Sequence, residues 1–403
     1  MSLKHVEYLP DVLDGRAGFQ LSAEWGHLAA VFGGGHICEL ARHSHPGVNP
    51  LWRPPWNTID PESYLVERDG ESYGPPPDGR LLAGIAGHTL AFDYFGPPSP
   101  EETAAGLGTH GEAPAVRWHI TAEFDNPGPG VEYGAMLPVV QMDFRRTVYV
   151  DREHPVVYFR ECARNLSCAD RPIGWNQHVT VGPPFLECGI TLVDMPASLA
   201  KTMLTGDSGE RALIADAEFP WPRAPLQGGG SHDLRTTPKG CYSRYSAQLI
   251  AQHRKVGYVA IGNLRLGLLL AYVFRRADFP WIGSWEERAQ RQQVPWRGNT
   301  FCRGLEFSTT PFPVPKRTAV SDGLLFGERT FRWLPARAEA EVRYLATMVV
   351  IPSDFQGVGD VSLGDRQITF HESRGGLSIS VPADGAFLFK ESGAQDVRSL
   401  LSG

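Results

Sequence analysis

The sequence predicts an all-β protein, a large antiparallel sandwich with few short helices. Three observations carry this. In Val116-Arg117-Trp118-His119-Ile120-Thr121-Ala122-Glu123-Phe124 apolar and polar residues alternate without a slip, the period-two pattern of a half-buried strand. Glycine (44) and proline (33) together make up about 19% of the 403 residues, well above the usual ~12%, and they fall in clusters between β-rich runs. No rhythm of strand, helix and strand recurs, which disfavours a parallel α/β architecture.

The elements follow in chain order. Ser99-Pro100-Glu101-Glu102 carries an N-cap followed by proline at the first helical position, and predicts a short helix. After the Val116–Phe124 strand, further β-rich runs lie at Arg145–Val150 and Pro155–Arg160. Val256–Phe274 is the most apolar stretch. Asn263, Arg265 and three glycines interrupt it, so it reads as two buried strands around a turn and not as a membrane span. Trp285–Gln292 is read as about two turns of helix. Tyr344–Ile351, Gln367–His371 and Leu377–Val381 complete the strands. The Pro/Gly-rich pieces at 74–79, 126–130 and 220–230 are too short to be linkers, so residues 1–403 are expected to form one sandwich domain.

Composition excludes several function classes. With 42% hydrophobic and 21% charged residues the chain is globular, and its net charge of -7 offers no basic field for nucleic acid or anionic lipid. The first fifteen residues have no apolar run after Lys4, which predicts no secretory signal and a cytoplasmic location. Six scattered cysteines (38, 162, 168, 188, 241 and 302) form no C-x-x-C pair and are read as reduced core thiols. His43 and His45 can share a strand face, but no third and fourth ligand lies at metal-site spacing; neither metal nor cofactor is expected.

Three segments concentrate polar and aromatic residues within strand-like sequence. Thr109-His110-Gly111-Glu112 precedes the alternating strand: the glycine lets backbone approach a ligand and the imidazole offers a donor or acid near neutral pH. In Gly174–Phe185, an extended chain places Trp175, Gln177 and Val179 on one face and Asn176, His178 and Thr180 on the other. That row suits sugar hydroxyls, with Trp175 packing on a pyranose face. In Gly298–Pro313, Glu306 lies between Leu305 and Phe307, where burial makes its protonation state matter. Taken alone, each segment reads more readily as plain structure: a turn with a solvated His110, a satisfied His178 on a polar outer face, and a strand Glu306 paired with Arg303 or facing water. Arg53, in the aromatic and proline-rich stretch 49–57, is a candidate to reach a hydroxyl or an acidic substituent.

Together these segments resemble the aldose 1-epimerase, or galactose mutarotase-like, family. The order of motifs agrees: His110-Gly111 with Trp118, then His178, then Gly304-Leu305-Glu306 before Pro311, one residue shorter between Gly and Glu than in the family. Phe32-Gly33-Gly34-Gly35-His36-Ile37 is similar to the family's opening strands, so the match in order spans roughly residues 18 to 315. The resemblance implies a β-supersandwich that the strands between residues 316 and 381 complete. It also implies His178 as general acid, Glu306 as general base and His110 as a sugar ligand near the ring oxygen. For the family's sugar-binding aspartate, Asp233 is the nearest candidate.

The implied function is an enzyme interconverting the anomers, or a related epimer, of a small-molecule sugar by ring opening without a cofactor. Two alternatives stand beside it. One is a non-catalytic carbohydrate-binding protein. The other is a glycoside hydrolase or lyase, in which Glu306 needs Asp233, Glu286 or Glu112 as a second carboxyl group. Oligomeric state is not legible in the sequence.

Overall fold

A computed structural model describes residues 5–390. The alternating runs are strands, with ends set by where side chains can be buried. The run expected from Val116 begins at His119, because Trp118 leaves the alternation to bury its ring and donate Nε1–H to the Ala113 carbonyl at 3.0 Å. The remaining runs correspond to Met142–Val150, Val156–Asn165, Val256–Asn263, Leu268–Arg275, Glu339–Val350, Gln367–Glu372 and Ser378–Pro382, with Pro155, Ile351 and Leu377 falling just outside the strands. The helix at Pro100–Ala104 closes with the expected N-cap: Ser99 Oγ accepts from Glu102 N, and Glu102 Oε2 accepts from Ser99 N at 2.7 Å.

The helix expected at Trp285–Gln292 is instead a strand, Trp281–Arg288, paired on both sides. Its charged second half looks helical in isolation. The ladder to two neighbours and the burial of Trp281 and Ile282 override that local preference. The cysteines also depart from expectation. Cys38, Cys162 and Cys302 are buried thiols, Cys188 is half-buried, and Cys168 and Cys241 are exposed.

Among the described residues the strands form a 13-stranded and an 8-stranded antiparallel sheet, packed face to face. The core between them is built from alternate residues of both, among them Leu90, Phe92, Trp175, Val179, Leu305 and Phe307 from one sheet and Phe144, Phe159, Tyr272 and Tyr344 from the other. A three-stranded sheet (Val358–Gly364, Gln367–Glu372, Ser378–Pro382) covers the outer face of the smaller sheet through Val361, Ile368 and Phe370. No described helix is long and apolar enough to cross a membrane.

Five neighbouring strands of the large sheet position the site, in the order His88–Asp93, Arg171–Val181, Phe301–Ser308, Trp281–Arg288 and Tyr242–Ile250. One face of these strands meets the core; the other lines a cleft.

Candidate active site

Register brings the site together. His178 lies directly across from Glu306, and Glu306 directly across from Gly283 on its other side. Because the side chains of directly paired residues share a face, His178 and Glu306 emerge side by side. His178 Nε2 stands 3.2 Å from Glu306 Oε1, and His178 Nδ1 is 3.0 Å from the hydroxyl of Thr180, two residues on along the same face.

Two glycines make room for this carboxyl group. A Cβ on Gly304 would stand 2.5 Å from Glu306 Oε1, and one on Gly283 would stand 2.9 Å from Oε2 and 2.1 Å from the Tyr245 hydroxyl oxygen. The glutamate side chain thus lies over two bare stretches of backbone. Trp285 and His110 flank the pair, with ring centroids 5.9 and 5.2 Å from that of His178.

Burial sets the protonation of the pair. The Glu306 carboxyl is pushed up to about 8 by loss of water, which Asn176 and Tyr245 beside it only partly offset. Burial pushes His178 down to about 4. Neither carboxylate oxygen has a hydrogen-bond donor in good geometry, so nothing compensates an ionised Glu306 fully. At neutral pH the pair therefore holds one proton, on the glutamate, beside a neutral imidazole.

His110 is held by its own loop. Its N–H donates to the Gly96 carbonyl at 2.8 Å, and its Nδ1 accepts from Gly96 N at 3.1 Å, which leaves Nε2 as the donor. Burial and the neighbouring His178 keep the ring neutral, well below the usual imidazole range. Gly111 is required at the next position: φ is +84°, and a Cβ would stand 2.0 Å from the Phe92 carbonyl oxygen.

These groups open into a cavity of about 520 Å³, walled by Leu81, Leu82, Ile85, Phe95, Trp285 and Trp296. Trp52 and Trp56, from the aromatic stretch noted in the sequence, do not line it; they brace Trp296 from behind, with centroids 6.2 and 5.2 Å away.

No family model matches the chain, and no curated protein matches it in sequence. Solved structures do match in shape. A galactose mutarotase-like protein from Clostridium acetobutylicum superposes with a TM-score of 0.55 at 13% identity, over 86% of this chain and 98% of that one. A provisionally named aldose 1-epimerase from Escherichia coli K12 gives 0.56 at 12% identity, over 84% and 100%. One from Klebsiella pneumoniae gives 0.58 at 12%, over 84% and 80%. The chain has the galactose mutarotase-like fold.

Within that mutarotase-like framework, His178, Glu306 and His110 come together at one cleft, whereas the other candidates from the sequence lie elsewhere. Trp175 points the opposite way on its strand, into the core, where it packs edge-on against Phe92 and Phe144 and donates to Glu161 at 2.9 Å; it cannot meet a ligand in the cleft. Asn176 is on the His178 face but fully buried against Glu306, beneath the cleft. Arg53 is drawn to Glu39 at 2.7 Å and lines a separate groove with His27, His43 and His45. Asp233 sits on a two-stranded ribbon away from the cleft, its carboxylate capping Arg235 N at 3.0 Å.

The cleft has another aspartate, Asp207, which sequence reasoning passed over. Its Oδ1 accepts from Tyr245 N at 2.9 Å and its Oδ2 from Leu213 N at 3.3 Å, and burial raises its pKa to about 6. Thr205-Gly206-Asp207-Ser208-Gly209 reads as an ordinary turn; no local signal sets it above Asp233. The other two carboxyl groups considered with Glu306 also lie elsewhere. Glu286 faces away and is held by Arg244 at 2.7 Å, and Glu112 caps Val139 N and Val140 N.

Proposed function

We propose that the protein is an aldose 1-epimerase-like isomerase that interconverts the anomers of a reducing sugar. The observation that carries this reading is the contact of His178 Nε2 with Glu306 Oε1, 3.2 Å apart at the floor of a sugar-sized cleft, with burial raising the proton affinity of the carboxyl group and lowering that of the imidazole. Anomerisation removes a proton from O1 and delivers one to the ring oxygen, and both oxygens are bonded to C1, so two adjacent groups of opposite role serve it.

The starting charges differ from those implied by the family resemblance. A neutral His178 takes the O1 proton while protonated Glu306 gives its proton to the ring oxygen, and the C1–ring oxygen bond breaks to leave the aldehyde. After rotation about C1–C2, the ring hydroxyl attacks the other face of the carbonyl. Glu306 recovers its proton from that hydroxyl, and the imidazolium returns its own to O1. Atoms and charges balance over the cycle. The opposite start, imidazolium beside carboxylate, has the same proton count and the same pH dependence. His110 donates through Nε2, and Asp207 accepts from hydroxyls.

NMR anomer exchange over common aldoses tests the proposal. The expected result is exchange above the spontaneous rate. Binding of a sugar without exchange favours the carbohydrate-binding alternative. Release of nitrophenol from aryl glycosides, abolished by Asp207→Asn, favours the hydrolase.

A further inference from the structure

We infer that the Arg291 guanidinium receives an anionic substituent, a carboxylate or a phosphate ester, on the sugar whose anomeric end meets His178 and Glu306. Placing the anomeric end there rests on the isomerase reading above; the anion site itself rests on Arg291.

Arg291 lies in the connection between the Trp281–Arg288 and Phe301–Ser308 strands, and this connection is fixed. Glu287 Oε1 accepts from Gln290 N and Arg291 N at 2.8 and 3.0 Å, and the Arg291 carbonyl accepts from Gly298 N at 2.8 Å. The guanidinium packs on two indoles, 4.9 Å from the Trp296 ring centroid and 5.4 Å from that of Trp285, with Nε 3.3 Å from Glu287 Oε2. Its two terminal amino groups have no hydrogen-bond partner among the described residues, although the group lines the cleft. Such a planar fork, held at its stem and open at its end, matches the paired oxygens of carboxylate or phosphate.

The other charges around the cleft are engaged. Asp78 takes the Thr109 hydroxyl, Asp207 takes two backbone N–H groups, and Glu306 is protonated near neutrality. Arg244 is bound twice by Glu286, at 2.9 and 2.7 Å. Among the described residues lining the cleft, Arg291 is left as the cation whose terminal amino groups meet no anion. The Trp285 indole adjoins both His178 and Arg291, so a pyranose lying along it has one end at the acid–base pair and its far substituent at the fork.

The test compares kcat/KM for anomer exchange of glucose, glucuronate and glucose 6-phosphate in wild type, Arg291→Gln and Arg291→Lys, with calorimetric affinities for the same three sugars. The expected result is a preference for one anionic sugar over glucose that falls about 10- to 100-fold in Arg291→Gln and less in Arg291→Lys. Which anionic sugar is preferred distinguishes carboxylate from phosphate. Equal turnover of all three, or a loss in Arg291→Gln that is equal for charged and neutral sugars, overturns the anion site and leaves the isomerase reading standing. If nothing is exchanged, the isomerase reading falls and calorimetry decides the anion site separately. Tighter binding of an anionic sugar, lost in Arg291→Gln, upholds it; indifference to charge overturns it.

Discussion

Glu161 and Glu306 are both fully buried, and both belong to the polar chemistry of the His178 strand, yet their surroundings differ. On the core side, Glu161 receives Arg146 Nε at 2.6 Å, Trp175 Nε1 at 2.9 Å, Gln177 Nε2 at 2.5 Å and the Tyr344 hydroxyl at 2.8 Å. On the cleft side, Glu306 has one histidine and no well-aligned donor. A carboxylate with a guanidinium and three further donors has its charge compensated and holds two sheets in register. A carboxyl group as deeply buried without them is left poised to exchange a proton near neutral pH. Incomplete satisfaction at the cleft is what the proposed proton exchange draws on.

The largest effect expected from breaking this contrast is on turnover. Glu306→Gln or His178→Asn removes one proton-transfer partner and lowers anomer exchange about 10²- to 10⁴-fold. Sugar affinity, followed by calorimetry, changes much less. On the proposed mechanism, wild-type activity requires Glu306 protonated and His178 neutral. The kcat/KM profile is therefore bell-shaped, falling below about 4 and above about 8. A profile flat from pH 4 to 9 contradicts the pair.

On the other face, Glu161→Gln leaves Arg146 buried without its counter-charge, with an expected loss of about 3–5 kcal/mol in urea unfolding. A loss below 1 kcal/mol would make the two glutamates equivalent.

Glu306→Gln has the opposite effect on stability. The folded pKa of Glu306 lies above the ordinary 4.5, so the folded state binds this proton more tightly than the unfolded chain and loses stability as pH rises from 4.5 through about 8. Glutamine never ionises. The variant should match wild type at pH 4 and exceed it by about 4–5 kcal/mol at pH 9. His178, with its pKa lowered, takes stability away as pH falls below 6.5 toward 4.

The smallest effect is expected from Gly304→Ala, whose methyl group pushes Glu306 Oε1 away from His178. Exchange should fall about 10-fold with the unfolding midpoint little changed.

The sequence by itself determined the strand content, the alternation that puts His178 and Trp175 on opposite faces, and the motif order that singled out His110, His178 and Glu306. These are local or linear properties: period-two patterning follows from backbone geometry, and a histidine before glycine or a Gly-x-Glu step is visible in a few residues. The tertiary structure decided which face was core and which was cleft, and so removed Trp175 from the site. It made a strand of Trp281–Arg288, whose charges suggest a helix, because pairing on both sides outweighs local preference. It brought Asp207 to the cleft and left Asp233 on a ribbon elsewhere. Loop closure and strand register across more than a hundred residues select one aspartate over another, and no short window of sequence contains that information. The protonation of the pair was decided at the same level, because burial and missing donors exist only once the sheet and its cleft are assembled.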